Sequence, residues 1–285
     1  MSLLHAALLG LIQGLTEFLP ISSTAHLTIA GRALGLVNGA APEVWTAQIA
    51  VMQLGTLVAV LAYFRGDLFA IAAAFLAENV GSSRRPYAAQ SPDARMGWYV
   101  IVGTLPVVVA GLALKHIIES ALTKNLIVIG SSLILLALLL ELAERLARHA
   151  RGITETTLRD ALIVGCAQCF ALIPGASRSG TTITGGLFAG LNRAAAARFS
   201  FLLSIPAVAA GGLLELVQTW KAGHFAHGEA APLAVATLTA LISGYASIAF
   251  LLGYLRAHST RIFIVYRLAL GALLLGGVYA GWFAA

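Results

Sequence analysis

QGLTEFLPISST, residues 13–24, interrupts an apolar run with a proline and then three hydroxyl residues, and QCFALIPGASRSGTT, residues 168–182, repeats the pattern. Each begins on a glutamine, reaches a proline six or seven residues later and ends in a Ser/Thr-rich turn; the two begin 155 residues apart. The apolar runs leading into them cover 3–19 and 161–173. Crossing a bilayer takes ~20 residues at about 1.5 Å of rise each, so the second run stops well inside one. Apolar helices broken by proline and glycine read as re-entrant segments. They survive at membrane depth only where protein or a wet cavity surrounds the freed backbone.

Outward from these breaks, six stretches are long and apolar enough to span: 44–64, 96–114, 126–143, 199–220, 232–255 and 262–284. A shorter helix is expected at 66–80, lying at the interface. Three spans follow each broken segment. Three is odd, so the second copy enters the membrane from the opposite side. The chain therefore reads as one integral membrane domain, 1–285, made of an inverted-topology repeat with halves of about 1–143 and 155–285. Such repeats build a site where their discontinuous helices meet. The expected fold is all-α and polytopic, with six transmembrane helices and two re-entrant helical segments.

Composition supports lipid as the solvent. Of 285 residues, 59% are hydrophobic and 11% are charged, and the mean hydropathy is +0.88. A soluble domain carries roughly 25% charged residues. The deficit excludes a disordered chain and a large water-exposed surface. In a soluble protein the net charge of +6 would suggest nucleic acid; here it reads as a positive-inside bias, with no nucleic-acid partner. The loops at 65–95, 144–160 and 256–261 hold ten arginines, whereas 115–125 and 221–231 hold Lys115, Lys124 and Lys221. That asymmetry puts the arginine-rich loops in the cytoplasm and both termini outside. No Lys or Arg precedes Arg32, so the first apolar run lacks the charged start of a signal peptide and is expected to remain. Cys166 and Cys169 form a lone CxxC, with no second pair to complete a zinc site. They read as two small buried hydrophobes on one helix face.

The chemistry concentrates on the two breaks. Glu17 lies four residues from Gln13 on one helix face, and an ionisable group in an apolar run marks a function by default. Ser22, Ser23 and His26 follow in the same turn. In the second break, Gly175, Ser177, Arg178, Ser179 and Thr182 combine a tight turn, hydroxyls and one guanidinium. Arginine offers a planar fork of donors suited to phosphate oxygens, and a Gly-rich turn opening a helix adds backbone N–H groups. A Walker A loop is absent, because neither its spacing nor its lysine is present. An acid, an amide, a histidine, several hydroxyls and an arginine suit a diphosphate far better than a neutral lipid.

These motifs resemble those of the undecaprenyl-diphosphate phosphatases, also called bacitracin-resistance proteins. The match comprises (Gln/Glu)-x-x-x-Glu at Gln13 and Glu17, EFLPISSTAH at 17–26, PGASRSGTT at 174–182 and RFSFLLSIP at 198–206. The resemblance implies a bacterial inner-membrane enzyme that removes one phosphate from a C55 isoprenyl diphosphate, recycling a lipid carrier for the cell wall. It also implies dependence on Mg²⁺ or Ca²⁺ and an active site opening to the periplasm. It carries functional roles to Glu17, Ser23, His26, Ser177, Arg178, Ser179 and Thr182. One departure stands out: many members have Glu where this chain has Gln13, so the family's metal ligand is here an amide without charge.

On this reading Arg178 and the turn at 175–180 clamp the diphosphate, with Ser177, Ser179 and Thr182 donating to it. Ser22 is a further binding residue, and Glu17 with Gln13 holds the metal. Three routes stay open: water activated by His26, attack by His26 itself, or attack by Ser23 or Ser177 with His26 as base. The partners expected are the isoprenyl diphosphate and membrane lipids, and the reading allows a homodimer. The rival function is a secondary transporter or lipid flippase on the same inverted repeat. The signature set of the other large class of membrane lipid phosphatases is absent, since SSTAH is not PSGH and no histidine follows Ser177 and Arg178 at the needed spacing.

Overall fold

The computed structural model describes residues 1–36, 42–81, 83–114, 125–221 and 230–283. Among these it contains eleven α-helices, no β-strand, and three short 3₁₀ turns. The helices are α1 (Leu3–Glu17), α2 (Ser23–Ala33), α3 (Pro42–Tyr63), α4 (Arg65–Asn79), α5 (Pro92–Ala113) and α6 (Leu126–Leu146), then α7 (Leu158–Cys169), α8 (Arg178–Phe188), α9 (Arg193–Lys221), α10 (Ala230–Tyr254) and α11 (Arg261–Tyr279). Of the loops assigned to the outer side by charge, most of 115–125 and 221–231 lies outside the described residues, Lys115 and Lys124 included.

Five helices, α5, α6, α9, α10 and α11, are individually long and apolar enough to cross a membrane. The sixth expected span corresponds to α3, which qualifies together with α4 across a bend of 74°. The chain is thus an all-α, multi-pass membrane protein. The helix expected at 66–80 is α4. Its first turn is held by Arg198, which donates to Asp67 Oδ2 at 2.6 Å and lies 5.4 Å from the Phe64 ring centroid. Side-chain caps start the spans: Ser91 accepts from Ala94 N–H, and Asn125 accepts from Ile127 and Val128 N–H. Each cap satisfies a donor that a helix start leaves unpaired.

The two broken segments are helical hairpins, α1–α2 and α7–α8, and they correspond beyond the quoted motifs. Leu3 and Leu158 open the first arms, with Ser2 and Thr157 as side-chain caps. Ser22 and Ser177 cap the second arms with φ of 76° and 69°. Each second arm also ends on a positive-φ glycine, Gly35 and Gly190, whose N–H donates to Arg32 O and Leu187 O. All these pairs keep the spacing of 155 residues.

Each hairpin packs on a span from the other half of the chain. α1 lies along α10, and α7 lies along α5. Glycine permits both approaches: a Cβ on Gly10 would sit 2.1 Å from Ala236 O, and one on Gly165 would sit 2.2 Å from Gly103 O. Packing of α3 against both α9 and α10, and of α6 against α11, completes the bundle. Buried aromatics fill the centre, with Phe18 meeting Phe201 edge-on at 5.2 Å between ring centroids.

At the arginine-rich end, carboxylates neutralise several of the guanidiniums counted in the sequence. Arg151 donates to both oxygens of Asp160 at 2.7 Å, and Asp160 also closes a capping box with Thr157. Arg193 and Thr260 both donate to Glu144. Cys166 is exposed and Cys169 half-buried, which corrects the expectation that both are buried. Both thiols are free, and α7 is covered by α5 on its Gly165 side, so Cys166 faces outward.

Candidate active site

Four side chains from the two hairpins meet where their tips converge. Glu17, at the end of α1, is the centre. Gln13 Nε2 donates to Glu17 Oε2 at 2.9 Å, Ser23 Oγ donates to the same oxygen at 2.7 Å, and Arg178 Nη2 donates to Oε1 in a short ion pair. Glu17 is 6% exposed and Gln13 fully buried. The helix arrangement explains the meeting: Gln13 and Glu17 are one turn apart, while Ser23 and Arg178 are the first residues of α2 and α8. A buried carboxylate without partners is costly; here one charge and two neutral donors satisfy it.

The tips are locked together by backbone contacts. Ser179 Oγ donates to Leu19 O at 2.9 Å, from one hairpin to the other. Gly175 adopts φ +84° against α6, where a Cβ would meet Ser132 Oγ at 2.4 Å and Ile129 O at 2.5 Å, so only glycine fits. Beneath both tips lies Arg267 of α11, fully buried, which donates to Leu133, Pro20, Gly175 and Ala176 carbonyls at 2.9–3.5 Å. Sequence reasoning missed this residue, because it sits inside the long apolar run 262–284. A charge in such a run is the signal that would have found it.

A cavity of about 490 Å³ opens from these tips. Its polar end carries Glu17, Ser22, Ser23, Gly175, Ser177 and Arg178; its remaining wall runs along α5 and α9, from Val107 to Leu112 and from Ala207 to Leu214. Most of that wall is apolar. At Gly111 and Gly211 an added Cβ would meet nothing within 4 Å, so the cavity is open there. The N-termini of α2 and α8 both border the polar end. Their first N–H groups have no intrahelical acceptor and favour an anion.

Other expected residues stand off the cavity wall. Gln13 is behind Glu17. Thr182 is fully buried and donates to Arg178 O at 2.7 Å, tying it into its own helix. Ser179 is spent on the tip contact and on Ser177 Oγ at 3.1 Å. His26 lies beside α11: its Nδ1 is 2.7 Å from Ser22 O and its Nε2 is 2.6 Å from Tyr266 Oη. With Nδ1–H donating to the carbonyl, Nε2 accepts from the tyrosine. Two glutamines not among the expected residues, Gln53 and Gln168, do line the cavity. Gln168 is fully buried and neither atom of its amide has a partner among the described residues; the same holds for Gln13 Oε1 and Arg178 Nη1.

Among the described residues no cluster of three or more His, Cys, Asp or Glu exists that would hold a metal alone. The oxygens at hand are one carboxylate, the unpaired Gln13 Oε1 and serine hydroxyls. Calcium takes six to eight oxygens, whereas magnesium is commonly held by one or two carboxylates plus substrate phosphates. The set fits a hard cation shared with a phosphate ligand.

A carboxylate–arginine pair at the join of two helical hairpins, with an apolar cavity leading away, defines an integral membrane protein suited to an anionic, lipid-like ligand. The family model described as bacitracin resistance protein BacA matches residues 6–273, and the chain belongs to that family. It is 55% identical to a protein of Syntrophobacter fumaroxidans named undecaprenyl-diphosphatase, over 98% of each chain. Proteins with the same name from Myxococcus xanthus and Chlorobaculum tepidum are 51% and 50% identical, over 96% and 95% of this chain and 89% and 95% of theirs.

Proposed function

We propose that this protein hydrolyses undecaprenyl diphosphate to undecaprenyl phosphate and inorganic phosphate, recycling the lipid carrier for cell-wall synthesis. The observation that carries the reading is the Glu17–Arg178 pair at the polar end of a cavity whose other wall is apolar. A diphosphate fits the first and a prenyl chain the second. The names of the relatives agree with a hydrolase and leave the transporter reading without support.

Arg178 and the paired helix N-termini bind the phosphates, and Gln168 supplies an amide to the same end. Phosphoryl transfer needs mostly positioning and charge neutralisation, which this set provides. Of the candidate nucleophiles, Ser23 is the best placed: it lines the cavity and its hydroxyl already donates to Glu17. Its Oγ attacks the terminal phosphorus, its proton passes to Glu17, and the isoprenyl monophosphate leaves; water then cleaves the phosphoserine. His26, engaged by Tyr266 and Ser22, orders the start of α2 rather than touching the reacting atoms. Glu17, with Gln13 behind it, would hold Mg²⁺ or Ca²⁺ together with phosphate oxygens, and that ion would neutralise charge on the leaving monophosphate.

The two hairpins with their spacing of 155 residues support an inverted repeat in a single domain. The arginine-rich ends of α5 and α9 lie away from Leu112 and Leu214, which supports a cavity open to the periplasmic side of the inner membrane.

The purified protein should release one phosphate per undecaprenyl diphosphate with Mg²⁺ or Ca²⁺ and none in EDTA. Acid-stable phosphoserine at Ser23 should be trapped; phosphohistidine would overturn the nucleophile assignment, and no hydrolysis with any divalent ion would overturn the function. A second expectation concerns the groove. Gly211→Phe fills open space, so turnover of the C55 substrate should fall at least tenfold while a C15 diphosphate is hydrolysed within about twofold of normal, as methylene-scale pocket effects allow. Equal loss for both lengths would place the prenyl chain elsewhere.

A further inference from the structure

A cavity at the arginine-rich end has no part in the reaction described above. It measures about 680 Å³ and lies between the loop after α4 and the starts of α5 and α7. Arg84 and Arg85 form its rim, Tyr87 and Trp98 its aromatic side, and Val102 and Leu158 its apolar base. No acidic side chain lines it. The neighbouring Glu78 accepts from Ser91 N–H at 2.8 Å and lies within electrostatic reach of Arg85. Neither guanidinium has a carboxylate within ion-pair distance among the described residues, in contrast to Arg151, Arg193 and Arg198.

The floor carries a second signal. Gln90 is 6% exposed; its Nε2 donates to Asn79 Oδ1 at 2.8 Å and to Arg85 O at 3.3 Å. Asn79 Oδ1 also accepts from Trp98 Nε1 at 3.1 Å. This network fixes the orientation of the Gln90 amide, and its Oε1 is left buried and without a partner. A buried acceptor without a donor is uncommon in a native protein.

Below the cavity an apolar track continues in the right direction for hydrocarbon. α5 and α7 run side by side from the cavity, with Gly103 against Ala161 and Gly165. Their outward residues Leu105, Val109 and Leu162 are exposed by 55%, 65% and 43%. Two cations at a membrane interface, an aromatic wall and an apolar track below are the features of a head-group pocket for an anionic lipid.

We propose that this cavity binds a glycerophospholipid with a net-anionic, hydroxyl-bearing head group such as phosphatidylglycerol. Its phosphate sits on Arg84 and Arg85, a head-group hydroxyl donates toward Gln90 Oε1, and an acyl chain follows Leu105 and Leu162. A zwitterionic head group is disfavoured, because its ammonium meets two guanidiniums while the nearby Glu78 is engaged by Ser91 N–H. Choline also lacks a donor for Gln90.

The test uses the full chain in nanodiscs and native mass spectrometry. Wild-type protein released from mixed bilayers should keep phosphatidylglycerol over phosphatidylcholine or phosphatidylethanolamine. Millimolar inorganic phosphate should not displace it. Arg84→Ala/Arg85→Ala should reduce retention by about 25-fold, taking roughly fivefold for each arginine near an anionic head group. Arg84→Lys/Arg85→Lys should retain at least a third of it. Equal retention of choline and glycerol lipids by the wild type overturns the proposal without any variant. So does retention unchanged in the double alanine variant, and displacement by phosphate would make this a free-anion site instead.

Discussion

Replacing Arg178 by alanine is expected to lower kcat/KM about 10³-fold or more, with the fold retained. An arginine that stabilises transferring phosphoryl groups contributes roughly 10³–10⁵ in rate. The cavity makes this the largest single loss, because Arg178 is the cation that lines its polar end, and its Nη1 has no protein partner. Folding survives because Glu17 keeps two donors, Gln13 Nε2 and Ser23 Oγ. Arg178→Lys should recover part of the rate, since a point charge remains but the planar fork is gone. The measurement is steady-state phosphate release with a melting curve beside it. Near-normal turnover in Arg178→Ala would remove the arginine from the phosphate site.

Arg267→Met is expected to have the larger effect on stability. Arg267 is buried and reaches carbonyls of both hairpin tips and of α6: Pro20 on one side, Gly175 and Ala176 on the other, and Leu133 below. Methionine fills much of the space but leaves four carbonyls without this donor. A buried group left unpaired costs about 1–3 kcal/mol, so a loss of roughly 3–5 kcal/mol is expected, with a clear drop in melting temperature in detergent. Lysine should rescue little, because one ammonium cannot span the opposed carbonyls. Rescue by lysine to wild-type stability would show that charge alone, and not the fork, holds the tips.

The fold was largely legible because lipid imposes a simple rule: each apolar run near 20 residues is a span, and each shorter run that stops at a proline followed by a Ser-rich turn is a break. The extent of the correspondence between the hairpins was less legible. It lies in caps and turn conformations, as at Ser22 and Ser177, rather than in shared letters. The break between the span 44–64 and the helix at 66–80 was legible, with Gly66 beside it; its support was not, since Asp67 and Arg198 are 131 residues apart. At the site, Glu17, Ser23 and Arg178 were readable as chemistry, but their meeting was not, since α1 and α8 come together only through packing. Which hydroxyls face the cavity was also hidden. Thr182 and Ser179 sit on one short helix with Arg178, and only the register of that helix against Leu19 and Ser200 turns them away from the cavity. Gln168 carried no charge to draw notice, and its amide lacks the carboxylate partner that Gln13 has, since Leu172 stands where the first hairpin has Glu17.

That last difference reaches further. Two matched hairpins facing each other would, if identical, offer any guest two equal ends. The ligand proposed here has unlike ends, a dense anion and a hydrocarbon tail. Joining the halves in one chain frees each position to diverge from its counterpart, and the divergences fall where the guest needs them: Glu17 opposite Leu172, Ser23 opposite Arg178, Gln13 engaged while Gln168 stays free. The hairpins keep a common frame while their side chains abandon it, giving the cavity one head and one tail, like the molecule it would hold.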